Sequence, residues 1–234
     1  MTLANKAVIV TGAAGNVGSA LARLLADKGA RVAAVDRLQA PLEAVVASLS
    51  NSGAHLALPG VDLTDPAACA DLVARVEAAF GRLDGIGTTV GGFAMAPIAE
   101  AGPEQWDLMF DLNVRTTWNL YRAAVPALRR GGGGALVGIG SAAGLRGSGQ
   151  MAAYSATKSA VMRLTESLAD ELRVDRIRVN AVLPTTIDTP QNRAAMPDAD
   201  TSRWVKPSEV GEAMAFLLSD AASGVSGALL PVGY

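Results

Sequence analysis

The sequence has one cysteine, Cys69, and one histidine, His55. A single cysteine excludes an internal disulfide and a cysteine metal cluster, and a single histidine excludes a histidine pair. His55 stands near the start of an apolar run and is expected to be structural. No stretch reaches the roughly 18 uninterrupted apolar residues of a spanning helix. No run of lysine and arginine stands out against a formal net charge of −2, so nothing electrostatic suggests nucleic acid or an anionic membrane as a partner. The start, "MTLANKAVIVTG", lacks the basic region, apolar stretch and cleavage site of a leader. The expectation is a soluble, cytoplasmic domain without a metal site.

What is present is hydrophobic material in an ordered alternation. Half of the 234 residues are hydrophobic, enough for one large domain whose sheet is covered on both faces. Short apolar runs read as strands at Lys6–Gly12, Ala30–Arg37, His55–Leu63, Leu83–Gly92, Gly134–Ser141, Ile177–Pro184 and Gly227–Val232. Helical patterns lie between them, such as "NVGSALARLLADKG", "PAACADLVARVEAAFG" and "SEVGEAMAFLLSD". The first ends on Lys28-Gly29 and the second starts behind Thr64-Asp65-Pro66, which are good stop and start signals. The strands are apolar almost throughout rather than alternating, as in a parallel sheet buried on both sides. Short joints between strands and helices then require a doubly wound sheet with right-handed crossovers. No internal repeat or linker divides residues 1–234, which read as one domain. The glycines of "RRGGGGAL" form a short turn between a helix and a strand.

Two features of this frame suggest a nucleotide site. "VTGAAGNVGSAL" leaves the first strand and opens the first helix with Gly12, Gly15 and Gly18 at intervals of three. Gly12 suits a tight turn, Gly15 a close approach of backbone to a pyrophosphate, and Gly18 close packing of helix on sheet. The helix N-terminus offers free N–H groups to phosphates. Glycine-rich turns of this kind also arise for steric reasons alone. Asp36 ends the second strand, 18 residues after Gly18, where a carboxylate can bond the adenosine ribose hydroxyls. It would repel a 2′-phosphate and so favours NAD over NADP, while the adjacent Arg37 could bind that phosphate and keeps NADP possible. A solvated strand end is the other reading of Asp36. Asp62 is a natural partner for an adenine amino group.

A third feature, "YSATKSA", puts Tyr154 and Lys158 four residues apart, hence on one face of a helix. Together with "VTGAAGNVG", "VDLTD", "DLNVRTTWNL", "GIGSAAG" and "RVNAVLPTTIDT", it makes nearly the whole chain resemble the short-chain dehydrogenase/reductase family. The resemblance implies a seven-stranded Rossmann sheet, mostly parallel, in the order 3-2-1-4-5-6-7. It also implies a nicotinamide cofactor and hydride exchange with a carbonyl or secondary alcohol. The family's four catalytic positions match Asn113, Ser141, Tyr154 and Lys158. Cofactor contacts are implied from Asn16, Val17, Leu63, Gly91, Pro184, Ile187 and Thr189, beside Gly12, Gly15, Gly18, Asp36, Arg37, Asp62, Tyr154 and Lys158. The chemistry is coherent: charge developing on a carbonyl oxygen needs a nearby proton donor. A phenol with a pKa of about 10 is a poor shuttle near neutrality, and a nearby ammonium should lower it. Ser141 would position the carbonyl, and Lys158 would also reach the nicotinamide ribose. Asn113, in one long helix, would hold a water linking the lysine to solvent, as its family counterpart does.

The chain also departs from the family pattern. Asn16 stands where glycine is usual, "TTVGGF" replaces Asn-Asn-Ala-Gly, and "PTTIDT" replaces Pro-Gly after the sixth strand. Thr88 and Thr89 must therefore tie the central strands in another way. "VGGF" and "PTTIDTPQNRAAMPDADTSRW" resemble dihydropteridine reductases, which makes that activity one alternative. A non-catalytic module that senses NAD is another. Residues 188–206 are expected to form a short substrate lid, with Phe93, Met151 and Trp204 as candidate apolar walls. The family's habit of pairing through its long helices implies a homo-oligomer, a dimer or tetramer, and Tyr234 could reach a neighbouring subunit.

Overall fold

The strands of this protein have almost no solvent face, and that decides the architecture. In the computed structural model, which describes residues 3–233, they are β1 (Ala7–Thr11), β2 (Arg31–Asp36), β3 (Leu56–Pro59), β4 (Gly85–Thr88), β5 (Gly134–Ile139), β6 (Ile177–Pro184) and β7 (Leu229–Val232). Every residue of β1 and β4 is buried. Such strands are stable only when helices cover both faces of the sheet. They form one seven-stranded sheet in the order β3-β2-β1-β4-β5-β6-β7. Every pairing is parallel, so the expected antiparallel allowance was not needed. This is a single-domain Rossmann fold.

Two cores lie on opposite sides. The first packs Leu21 and Leu25 of α1 (Asn16–Asp27) and Leu42 of α2 (Gln39–Ala47) with Met214 and Leu218 of α8 (Pro207–Leu218). The second packs Leu72 and Val76 of α3 (Pro66–Phe80) with Leu120, Tyr121 and Leu128 of α5 (Thr116–Arg130) and Ala169 of α6 (Ala152–Glu171). Two shorter helices, α4 (Pro103–Phe110) and α7 (Pro190–Ala195), flank the C-terminal ends of the strands. Among the described residues no helix is long and apolar enough to cross a membrane.

Three local departures from the sequence reading have physical causes. The third strand stops at Pro59 rather than Leu63, because Gly60 takes a φ of +75° and turns the chain away. The fifth stops at Ile139, so Ser141 lies two residues beyond it and caps a short helical turn, Ala142–Gly144. The stretch read as one long helix is divided into α4 and α5 by a π-helical turn, Asp111–Arg115, with Asn113 at its middle. Single π turns within helices are often found at functional sites. Tyr234 lies outside the described residues.

The strand ties expected from asparagines are made by hydroxyls. Thr89 Oγ1 donates to the Thr11 carbonyl at 2.7 Å, and Thr89 N–H donates to Thr11 Oγ1 at 3.2 Å. Thr88 Oγ1 lies 3.4 Å from the Tyr121 hydroxyl. His55 is structural, as expected: its Nδ1 accepts from Val32 N–H at 3.0 Å and Nε2 donates to the Ser50 carbonyl at 2.8 Å, holding β3 to β2.

The turn from β1 into α1 is crowded enough to test. A Cβ on Gly18 would sit 2.1 Å from the Gly12 carbonyl oxygen and 2.8 Å from Thr89 Oγ1. Gly18→Ala must therefore push α1 off the sheet, and urea unfolding should show a loss of about 1–3 kcal/mol, as for overpacked cores. An unchanged midpoint would show that the helix has room to move.

Candidate active site

A parallel doubly wound sheet leaves a crevice at the carboxyl ends of its strands where the order reverses, here between β1 and β4. A cleft of about 690 Å³ opens there, lined by Gly12, Gly15, Asp36, Arg37, Asp62, Leu63 and Gly91 among others. Gly12 has a φ of +62°, which favours glycine, and a Cβ on it would meet Thr89 Oγ1 at 2.8 Å. The start of α1 has no side-chain cap, so its first N–H groups keep their capacity to bind phosphate oxygens. At the far wall Asp36 is held in place. Its Oδ2 accepts from Ala14 N–H at 3.0 Å and its Oδ1 from Leu38 N–H at 3.2 Å. Asp62 accepts from both the hydroxyl (2.7 Å) and the N–H (2.9 Å) of Thr64, and these bonds hold its carboxyl below the usual range. A glycine-floored cleft with anchored carboxylates at one end has the shape and donors to hold a dinucleotide.

The remaining cofactor candidates lie outside this lining. Gly18 packs beneath the turn, and Val17 packs against the first core. Pro184 ends β6, Ile187 bridges to Val205, and Thr189 caps α7 by accepting from Asn192 N–H at 3.1 Å. Sequence reasoning missed Leu38, Val90 and Thr116, which line the cleft. Leu38 and Val90 were legible in principle, because they directly follow the ends of β2 and β4. Thr116 lies nearly one turn past Asn113 but is separated from it by the π turn, which no side-chain pattern announces.

The four catalytic candidates come together beside the cleft. Tyr154 lies in the first turn of α6, and the Ser141 hydroxyl, which accepts from Ala143 N–H at 3.2 Å, is the polar neighbour that acts on its phenol. Lys158, one turn further on, is buried. Its Nζ donates to the Ile139 carbonyl at 3.1 Å and lies 5.7 Å from the centre of the Tyr154 ring. Asn113 is buried between three segments. Its Oδ1 accepts from Gly92 N–H at 2.9 Å, and its Nδ2 donates to the Gly92 carbonyl and to Thr157 Oγ1, both at 3.1 Å. Phe93 packs edge-on against Tyr154, with ring centres 4.9 Å apart.

The electrostatics correct one expectation. Burial pushes the Tyr154 phenol above its ordinary value, and the Ser141 hydrogen bond works against that rise. Lys158, expected to lower the phenol, lies over the ring face rather than at the hydroxyl. Burial pulls its own ammonium down to about 8. The hydroxyl of Ser141, not the charge of Lys158, is the direct influence on the phenol in this arrangement.

Residues 188–206 form a closed strap. Its base is shut by the Ile187–Val205 bridge, with Asp188 N–H donating to the Val205 carbonyl at 2.7 Å and Val205 N–H to the Thr186 carbonyl at 2.9 Å. Asp188 and Arg193 form a two-pronged ion pair, and Asn192 Nδ2 donates to the Ile187 carbonyl at 2.8 Å. Asp200 caps a turn at Thr201–Arg203 by accepting from Ser202 N–H. Across the site, Asn16 Nδ2 donates to Gln191 Oε1 at 3.0 Å. The asparagine that replaces the usual glycine therefore reaches from the phosphate loop to the strap.

A Rossmann sheet with this cleft and this hydroxyl cluster defines a dinucleotide-dependent oxidoreductase class, and comparison with known proteins narrows it. The short chain dehydrogenase family profile matches residues 6–200. The chain is 34% identical to D-threitol dehydrogenase of Mycolicibacterium smegmatis, covering 98% of this chain and 92% of that protein. It is 35% identical to cis-4-hydroxycyclohexanecarboxylate dehydrogenase of Sinomonas cyclohexanicum, covering 98% and 95%. The crystal structure of NAD+-bound xylitol dehydrogenase superposes with a TM-score of 0.92 at 27% identity, covering 100% of this chain and 99% of that one. The chain belongs to the short chain dehydrogenase family and is an enzyme that acts on CH–OH groups.

Two measurements test this geometry. Lys158 is buried with a pKa near 8 against 10.5 when unfolded. Below pH 8 the lysine is charged in both states and its burial penalises the fold. Between the two values only the unfolded chain keeps the proton, so the penalty fades as pH rises. The melting temperature of wild type relative to Lys158→Met should accordingly climb from pH 8 to 10.5, and a flat difference would contradict the burial. Second, Asn16→Gly should speed tryptic cleavage after Arg193 and Arg203 several-fold by freeing the strap. Equal cleavage rates would show that the Asn16–Gln191 bond does not restrain it.

Proposed function

We propose that this enzyme oxidises a secondary alcohol, or reduces the matching ketone, with NAD as its preferred cofactor and Tyr154 as the proton-transferring group. The carrying observation is Tyr154 grouped with Ser141 and buried Lys158 beside the glycine-floored cleft, with the Lys158 ammonium 5.7 Å from the centre of the tyrosine ring. Bound nicotinamide supplies the acceptor or donor of hydride. The chain itself handles the oxygen and the proton. Ser141 holds the reacting oxygen, and Tyr154 takes its proton during oxidation or returns it during reduction. Lys158, buried behind the tyrosine ring, would bind the nicotinamide ribose. Asn113 fixes the catalytic helix against the Gly91–Gly92 backbone.

Asp36 supports NAD over NADP. Its carboxylate is fixed by two N–H groups at the cleft wall, where a 2′-phosphate would meet a held negative charge. The similar xylitol dehydrogenase structure is NAD+-bound, which supports the same reading by analogy. Residues 188–206 act as the lid over the substrate. Exposed Trp106 and Leu108 on α4 and Trp118 on α5 support assembly into a homo-oligomer through these helices.

Tyr154→Phe removes only the hydroxyl. Turnover of any alcohol substrate should fall by about 100- to 10,000-fold, the usual weight of a general acid–base, while NADH affinity by calorimetry stays within a few-fold. Full turnover in this variant would overturn the assignment. Wild type should also bind NADH more tightly than NADPH, with Asp36→Ala narrowing the gap. Equal or tighter NADPH binding would remove the role given to Asp36.

A further inference from the structure

We infer that the substrate carries its hydroxyl on a hydrocarbon body, as a cycloalkanol or arylalkanol does, and is not a polyol; this rests on the alcohol-dehydrogenase reading above. The segments that leave β4, β5 and β6 expose large apolar side chains, and the first of them touches Tyr154. Phe93 is 59% exposed although its ring edge touches Tyr154, Met95 is 53% exposed, Leu145 is 61% exposed, and Met196 of the strap is 39% exposed. The loop carrying Phe93 and Met95 is joined to the segment before α6 by Ala96 N–H donating to the Gln150 carbonyl at 2.8 Å. Phe93 therefore meets Tyr154 directly, and the β5 exit and the strap present further exposed apolar side chains on segments that leave the same ends of the strands.

Polar side chains able to receive further substrate hydroxyls are already engaged. Asp188 and Arg193 pair with each other, Asn192 Nδ2 donates to the Ile187 carbonyl, and Gln191 Oε1 accepts from Asn16. Asn113 is fully committed to Gly92 and Thr157. Ser141 and Tyr154 are needed for the reacting oxygen. The polar residues left over are Arg146, Ser148 and Gln150, exposed on one loop, and the two short hydroxyls of Thr185 and Thr186 where the chain leaves β6. A polyol would bring several more hydroxyls into this site, and each one buried without a partner loses affinity. A hydrocarbon body would instead cover Phe93, Met95, Leu145 and Met196. Of the two chemistries represented by the relatives, a linear polyol and a ring alcohol, the side chains match the second.

The test compares kcat/KM with NAD+ for cyclohexanol and indanol against threitol and xylitol. NADH affinity is measured by calorimetry on the same protein. The hydrocarbon alcohols should exceed the polyols by about a hundredfold or more, the scale on which a site rejects a mismatched polar group. Phe93→Ala should lower kcat/KM for indanol by about tenfold and leave NADH affinity within twofold. Polyols turned over as well as or better than the hydrocarbon alcohols would overturn this inference and leave the dehydrogenase reading standing. Turnover confined to a quinonoid dihydropterin would overturn it too. If NADH bound but no alcohol of either class reacted in either direction, both would fall.

Discussion

One carboxamide holds the site together. Asn113 bonds the Gly92 backbone in both directions and the Thr157 hydroxyl at the same time, so it joins the exit of β4, the π turn between α4 and α5, and the catalytic helix α6. Both neighbouring glycines suit this approach. A Cβ on Gly91 would meet Asn113 Oδ1 at 2.8 Å, and one on Gly92 would meet Leu112 at 2.8 Å. Thr157 in turn donates to the Tyr154 carbonyl at 2.8 Å. The carboxamide is thus one step from the backbone of the tyrosine it helps to place. Buried polar groups are favourable only when fully bonded, and here the bonding and the placement of the site are the same set of contacts.

The two halves of the site are built by different means. The cofactor side is backbone: a positive-φ glycine, an uncapped helix start and carboxylates anchored by N–H groups. The substrate side is side chains on segments leaving β4, β5 and β6, closed by a strap that carries its own ion pair. The Asn16–Gln191 bond joins them through side chains. Occupation of the phosphate loop and position of the strap therefore share a residue. Burial separately lowers the Lys158 ammonium to about 8, so it keeps its charge near neutrality but gives up its proton more readily than an exposed lysine.

The sheet was readable because parallel strands leave little choice of composition: their residues are apolar almost without break, and order follows from short joints and handedness. The spacing of Gly12, Gly15 and Gly18 and the place of Asp36 at a strand end were readable for similar reasons. Other features were not. The π turn is a backbone event that the apolar pattern of "EQWDLMFDLNVRTTWNL" does not encode. The Ile139 carbonyl that holds Lys158 has no side-chain signature. The direction of the Tyr154 shift depends on how burial weighs against Ser141 and on where the lysine stands relative to the ring, and spacing along a helix gives neither. The departures at Thr89 and Asn16 were visible as residues, but their hydrogen bonds, to Thr11 and Gln191, join positions far apart in the chain.

The most direct test of this account is the turnover of an Asn113→Leu variant, measured together with its NADH affinity and its melting curve. Leucine keeps the volume and removes every bond the carboxamide makes. If that clamp sets the catalytic helix, the folded variant should bind NADH within about threefold of wild type and lose turnover by about a hundredfold, the scale on which small misplacements act. A folded Asn113→Leu protein turning over within twofold of wild type would contradict it.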